Sequence, residues 1–180
     1  MAKKEVVLGV TGSIAAYRAC DIVNCLRKAG FNVTVIMTKE AKEFISPLTF
    51  QTLSHNKVYS EMFEAPSEWN PVHTSLADKA GLILIAPACA NIIGKLANGI
   101  CDDLLTCVVM ASSAKVLIAP AMNEKMYANP AVQENIGKLK KRGIKMIGPV
   151  KGPLACGHEG VGHIAGLDTI ISEVKRSLKG

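Results

Sequence analysis

Four short, almost unbroken apolar runs, alternating with stretches of helical periodicity, constrain this chain more than any other feature. Val6-Val7-Leu8-Gly9-Val10, Val33-Thr34-Val35-Ile36-Met37, Leu82-Ile83-Leu84-Ile85-Ala86 and Val116-Leu117-Ile118-Ala119 lack the polar alternation of a sheet with one wet face. Strands buried on both faces read this way, and they belong to parallel sheets covered by helices. A weaker fifth run, Ile144-Lys145-Met146-Ile147, suits a sheet edge.

Between the first two runs, Ala15, Ala19, Ile22, Val23, Leu26 and Ala29 recur at helical spacing, and Gly30 stands where that helix should stop. Asn129-Pro130 supplies a cap followed by proline at the first helical position, with Val132, Ile136 and Leu139 on one side and Gly143 at the end. Asp168 reads as the cap of a terminal helix presenting Ile171, Val174 and Leu178. At 180 residues, one main core is the expectation. The pattern predicts an α/β fold: a single-domain open parallel sheet over residues 1–180, with helices on both faces, in a Rossmann- or flavodoxin-like three-layer sandwich. Ligands of such sheets sit at the carboxyl ends of the strands, so the site is expected in strand-to-helix loops.

Two stretches break the alternation. Residues 54–75, holding Trp69 between Pro66 and Pro71, read as an irregular excursion. Residues 148–166 surround Cys156, His158 and His163 with glycines and read as a long loop. Long loops in compact domains tend to be functional or disordered.

The formal charge is +6, from 21 Lys and Arg against 15 Asp and Glu. Much of the excess falls in Lys138–Lys145 and Lys175–Lys179, where cations suit helix C-termini. Steering of an anionic small molecule is the sharper alternative. Aromatics make up 4% of the chain, too few to stack bases, so no nucleic-acid partner is expected. The cysteines form no CxxC pair, which argues against a metal scaffold; only Cys156, His158 and His163 have a spacing zinc could use. With no signal-peptide core and no 18-residue apolar span, a cytoplasmic protein with reduced thiols and no membrane partner is expected.

The first run leads into Thr11-Gly12-Ser13-Ile14-Ala15-Ala16-Tyr17, neither a GxGxxG nor a P-loop fingerprint. Small residues there admit a ligand to the backbone, and helix-start amides attract phosphate; the plain alternative is a tight turn that needs Gly12. The third and fourth runs lead into Ala86-Pro87-Ala88-Cys89-Ala90-Asn91 and Ala119-Pro120-Ala121-Met122-Asn123. Each proline is expected to stop its strand and aim the following side chains into the crevice. Either asparagine alone suits a helix cap, whereas the two together mark a site. His73 lies outside any apolar stripe and reads as a packing residue or as an acid or base. Cys20, Cys25 and Cys107 read as small core residues, whereas Cys156 in its glycine-rich loop could present a reactive thiol.

Taken in order, Thr11 to Tyr17, His73, Pro87-Ala88-Cys89-Ala90-Asn91, Pro120-Ala121-Met122-Asn123-Glu124-Lys125-Met126-Tyr127 and Leu154-Ala155-Cys156-Gly157 resemble the phosphopantothenoylcysteine decarboxylases, within the homo-oligomeric flavin-containing cysteine decarboxylase family. The resemblance runs from Glu5 to His163. It implies FMN held by Gly12, Ser13 and Ile14, by Thr38, by Cys89, Ala90, Asn91 and Ile92, and by Thr106. It assigns His73 to the substrate thiol or a nearby proton, Asn123 to the substrate carboxylate, Met126 and Ala155 to the pocket wall, and Cys156, on a flap at 148–166, to proton donation.

The implied reaction is decarboxylation of (R)-4′-phosphopantothenoylcysteine to 4′-phosphopantetheine in coenzyme A biosynthesis. Two electrons leave the cysteinyl side chain, the resulting thioaldehyde accepts the pair released with CO2, and a returned hydride plus a proton from Cys156 complete the product. Homotrimers with the flavin between subunits, or dodecamers built from them, are implied, as is a separate phosphopantothenoylcysteine synthetase partner. The chain departs from the family's Ser-Ala-Asn-Thr at Cys89-Ala90-Asn91-Ile92, has Tyr127 for a usual Trp, and has His163 where Gly-x-Gly is commonly followed by Arg. The alternatives are a peptidyl-cysteine oxidative decarboxylase, another flavoprotein of the same fold such as a flavin prenyltransferase, and a noncatalytic regulatory subunit. The first needs no proton-donating cysteine, and joint retention of His73, Asn123 and Cys156 opposes the last.

Overall fold

The apolar runs form the middle of a six-stranded parallel sheet in a computed structural model, which describes residues 4–63, 71–155, 157 and 159–179. Its strands are β1 (Glu5–Val10), β2 (Asn32–Met37), β3 (Val58–Tyr59), β4 (Leu82–Ala88), β5 (Lys115–Pro120) and β6 (Lys145–Met146). Their order is β3-β2-β1-β4-β5-β6, every neighbouring pair parallel. The weak fifth run is the edge strand β6, as its sequence suggests. The order reverses between β1 and β4, and ligands of open α/β sheets bind at such a switch point.

The two-sided burial read from the sequence is realised residue by residue. Val6, Leu8 and Val10 face one layer, built from α1 (Arg18–Lys28), α2 (Pro47–Ser54) and α8 (Leu167–Lys179). Val7, Ile83 and Ile85 face the other, built from α3 (Val72–Lys79), α4 (Ala90–Asn98), α5 (Leu104–Ala111) and α7 (Pro130–Lys141). All of β4 is buried, and each such aliphatic side chain contributes about 1.5–3 kcal/mol relative to exposure. Asn129 caps α7, its side-chain oxygen accepting from the Ala131 amide at 2.9 Å, with Pro130 next in line. The basic run ends the same helix, where Lys138 pairs with Glu134 at 2.9 Å, the arrangement of a solvated helix end. Among the described residues no helix is long and apolar enough to cross a membrane.

Several expectations are corrected. Asp168 lies inside the first turn of α8; the helix already begins at Leu167 because the Ile170 amide bonds the Gly166 carbonyl at 3.1 Å. Pro87 does not stop β4, which runs to Ala88, whereas β5 does end at Pro120 as expected. The β4–β5 register shifts between Ile85 and Ala88, and such an irregularity accommodates a residue with no amide proton. Residues 54–75 include β3 and the start of α3, while Trp69 and Pro66 lie outside the described residues. The stretch 148–166 contains an antiparallel hairpin, β7 (Val150–Pro153) with β8 (Glu159–His163). Cys20, Cys25 and Cys107 are half-buried rather than fully in the core, the first two packing against it from α1. Burial, then the Asp21 charge, pushes the Cys20 thiol above its ordinary range.

Candidate active site

The carboxyl ends of β1, β4 and β5 converge on one region. Its first tie is Thr11, fully buried at the end of β1, whose hydroxyl donates to the Pro87 carbonyl at 2.8 Å and accepts from the Cys89 amide at 3.0 Å. Sequence reasoning quoted Thr11 without giving it this task; its signal is a polar residue ending an otherwise apolar run. Gly12 follows, and a Cβ there would lie 2.5 Å from the Glu40 Cβ, so the position admits no side chain. The tight-turn reading of Gly12 therefore holds on packing grounds.

A 3-10 turn, Ile14–Tyr17, leads into α1. The Ser13 amide bonds Thr11, the Ala15 amide bonds the Ser13 hydroxyl at 3.3 Å, and the Ala16 amide bonds the Ser13 carbonyl. Of the amides in this turn, those of Gly12 and Ile14 are the ones these bonds leave for a ligand. Asn123 caps α6 (Glu124–Ala128), its side-chain oxygen accepting from the Lys125 amide at 2.9 Å, while also lining a cavity beside the β1 turn. The cap reading of this asparagine holds, and its place on the cavity wall leaves the ligand reading open to it.

That cavity measures ≈ 340 Å³ and brings together Ser13, Ile14, Cys89, Asn123, Met126 and Ala155. Phe44 and Met122, which the sequence reading did not single out, share its walls. An adjoining cavity of ≈ 200 Å³ holds Thr38, Ala90, Asn91 and Ile92, and shares Gly12, Cys89 and Met126 with the first. The hairpin forms one wall of the first cavity: the Met122 amide donates to the Gly162 carbonyl at 3.0 Å, and a Cβ at Gly162 would sit 2.1 Å from the Met122 oxygen. The His163 ring reaches back across the hairpin, its Nδ1 donating to the Pro153 carbonyl at 3.1 Å.

Two expected residues stand apart. Thr106 is fully buried and lines neither cavity, because its hydroxyl is committed to a capping box with Asp103 at the start of α5. Asp103 reaches the smaller cavity instead. Burial opposes charge on Asp103, but bonds from the Thr106 amide and the Lys95 ammonium, 2.9 Å away, outweigh it and hold the carboxyl below its ordinary range. His73, in the first turn of α3, also lines neither cavity, although α3 precedes β4 and so starts at the same edge of the sheet. Cys156 and His158 lie outside the described residues.

These residues fit a flavin mononucleotide. Ile14, Phe44, Met122 and Met126 offer apolar faces to a flat ring, and the neighbouring cavity offers polar groups to a polyol-phosphate tail. The hydroxyls absent at Cys89 and Ile92 are not recovered from the Cys89 amide, which Thr11 occupies, leaving Thr38 and Asn91 as the polar side chains near that end besides the acidic pair Glu40 and Asp103.

A "Probable phosphopantothenoylcysteine decarboxylase" of Streptococcus mutans is 48% identical over 177 residues, covering 97% of this chain and 99% of that protein. The "Coenzyme A biosynthesis bifunctional protein CoaBC" of Bacillus subtilis is 49% identical over 168 residues, 93% of this chain, which spans only 41% of that relative's length. Among solved structures, a PPC decarboxylase cysteine-to-serine mutant complexed with pantothenoylaminoethenethiol overlays with a TM-score of 0.88 at 30% identity, covering 99% of this chain and 100% of that one. The FMN binding protein AtHal3 overlays at 0.84 with 31% identity, covering 97% and 96%. The model of the family described as Flavoprotein matches residues 1–179, and the chain belongs to that family.

Proposed function

We propose that this chain is an FMN-dependent phosphopantothenoylcysteine decarboxylase, a carboxy-lyase of coenzyme A biosynthesis. The observation that carries the reading is the single cavity uniting the β1 turn, Cys89, Asn123, Met126 and Ala155, which the sequence reading assigned to flavin and substrate. Relatives named for this activity, one of them covered over 99% of its length, support the substrate.

FMN bound along Gly12, Ser13, Ile14, Thr38 and Cys89–Ile92 would supply a reversible two-electron sink, making the carboxyl of a thiol-bearing acid labile. Asn123, anchored through its oxygen by the Lys125 amide, presents its side chain to the substrate carboxylate. Met126, 48% exposed, and Ala155 shape the apolar wall around the cysteinyl arm. Thr106 acts through Asp103 rather than by touching the cofactor. The hairpin, seated on Met122, shields the reacting atoms from water, and Cys156 within it donates the final proton. The chain acts as one flavoprotein domain whose flap is 148–166, in the cytoplasm.

His73 lines neither cavity of its own chain, which favours an oligomer, a trimer or a dodecamer assembled from trimers, in which a neighbouring copy carries His73 to the flavin. The fusions represented by the bifunctional relative support a separate synthetase partner.

Purified protein should be yellow, and its flavin band should bleach and recover on adding phosphopantothenoylcysteine, with release of CO2 and 4′-phosphopantetheine seen by mass spectrometry. Protein that stays colourless after incubation with excess FMN would overturn the reading.

A further inference from the structure

Two cysteines that line neither of these cavities are brought together at the link between α4 and α5. Cys101 stands exposed in the irregular segment before α5, and Cys107 is half-buried one turn into that helix. The Cys107 thiol points back at the segment: its Sγ donates to the Cys101 carbonyl at 3.5 Å, and the Met62 Sδ lies 3.6 Å away. The Cys101 Sγ donates only to the Gly99 carbonyl, at 3.8 Å, and a thiol is a weak donor. Burial first, then the neighbouring Cys101, push the Cys107 thiol above its ordinary range, with Asp103 and Asp102 adding to them. One thiol open to solvent beside a shielded one is the arrangement of an attacking and a resolving cysteine.

The same segment organises the cofactor end of the site. Asp102 and Asp103, between the two cysteines, both bond the Lys95 ammonium, at 2.8 and 2.9 Å. Asp103 also caps α5 and lines the smaller cavity, the one suited to the polyol-phosphate tail. Both carboxylates line a further cavity of ≈ 510 Å³, together with Met62. Lys95 thus offsets negative charge that would otherwise face a phosphate.

We propose that Cys101 and Cys107 form a hydroperoxide-reactive dithiol whose disulfide weakens FMN binding. The effect on FMN rests on the flavin reading above; the bridge does not. The Cys101 sulfur attacks an oxygen of the hydroperoxide, the O–O bond breaks, and the thiol proton goes to the departing oxygen, leaving Cys101 as a sulfenic acid. The Cys107 sulfur then attacks the Cys101 sulfur, the S–O bond breaks, and the hydroxyl leaves as water with the Cys107 proton. Two thiols lose two electrons and the hydroperoxide gains them. Bridging makes Cys107 release the Cys101 carbonyl and draws Cys101 toward α5, closing a small ring that contains Asp102 and Asp103. The pull takes these carboxylates off Lys95 and leaves uncompensated negative charge beside the cofactor phosphate.

The test treats the FMN-loaded protein with a small molar excess of hydrogen peroxide. Both cysteines fall in one tryptic peptide, 96–115, which should lose two hydrogens, resist alkylation, and recover both thiols with dithiothreitol. By fluorescence titration FMN should bind the bridged protein about fivefold more weakly, the size of one partly screened charge contact, and regain its affinity on reduction. Peroxide also reaches other thiols, so Cys101→Ser is the control: reduced, it should keep wild-type flavin content and turnover, and its FMN affinity should not respond to peroxide. Cys107→Ala should stop at the sulfenic acid, which dimedone traps on Cys101. Thiols in 96–115 that still alkylate in full after oxidation, or a cysteine of that peptide bridged elsewhere, overturn the dithiol. A bridged peptide with unchanged FMN affinity overturns the switch. Protein that takes up no FMN before any oxidant is added overturns the flavin reading, and the peptide mass then still decides the bridge.

Discussion

The Thr11 hydroxyl donates to the Pro87 carbonyl at 2.8 Å, fastening the end of β1 to the end of β4 where the strand order reverses. The same oxygen accepts from Cys89. Thr11→Val keeps the shape and strands both backbone groups in a buried setting, so it should cost about 1–3 kcal/mol in urea unfolding and weaken FMN retention. Thr11→Ser should restore most of both. Unchanged stability in the valine variant would show that the bond contributes little.

Gly162 permits the hairpin to sit on Met122, since a Cβ there would meet that carbonyl at 2.1 Å. Gly162→Ala must lift the flap. Turnover should drop on the order of a hundredfold, as small misplacements near reacting atoms do, while flavin content stays at the wild-type level. Steady-state assay beside a flavin spectrum separates the two.

Asp103 combines a helix cap with a charge pair, and two substitutions resolve them. Asp103→Ala loses both and should destabilise by about 0.5–2 kcal/mol for the cap alone. Asp103→Asn can still cap, so it loses mainly the Lys95 attraction. Because the folded-state carboxyl is held below its unfolded value of about 3.9, its stabilisation is full above that pH and is lost as pH falls through the lower folded value. Chemical unfolding from pH 6 down to 3, as an approximate range, should therefore show a smaller acid-side loss in Asp103→Asn than in the wild type.

If His73 and Asn123 of one working site come from different copies, His73→Asn and Asn123→Asp should each be inactive alone, yet regain turnover when the two chains are unfolded and refolded together. A mixture as inactive as its parents would place both residues in one copy.

Cys156→Ser should still release CO2 but stop short of the final protonation, accumulating the oxidised, decarboxylated enethiol, which mass spectrometry distinguishes from 4′-phosphopantetheine by two hydrogens. Normal product formation would remove Cys156 from its role.

The fold's central layer was legible because burial on both faces leaves Val6–Val10 and Leu82–Ala86 no polar positions, a property of the residues themselves. The edge character of β6, the cap at Asn129 and the stop at Gly30 are equally local matters of hydrogen bonding and backbone freedom. The hairpin was not legible. Its glycines read as loop, whereas they are where β8 presses on Met122 and Glu124, a steric demand made by residues some forty positions away in the chain. Thr106 reads as a hydroxyl available to a ligand until its commitment to Asp103 is visible, and Thr11 reads as the mere end of a strand until Pro87 and Cys89 arrive beside it. Periodicity, caps and motif order are carried by neighbours in sequence, and those the chain determined by itself. Which polar groups remain free to meet a ligand depends on partners brought together across the sheet, and that only the tertiary structure decided.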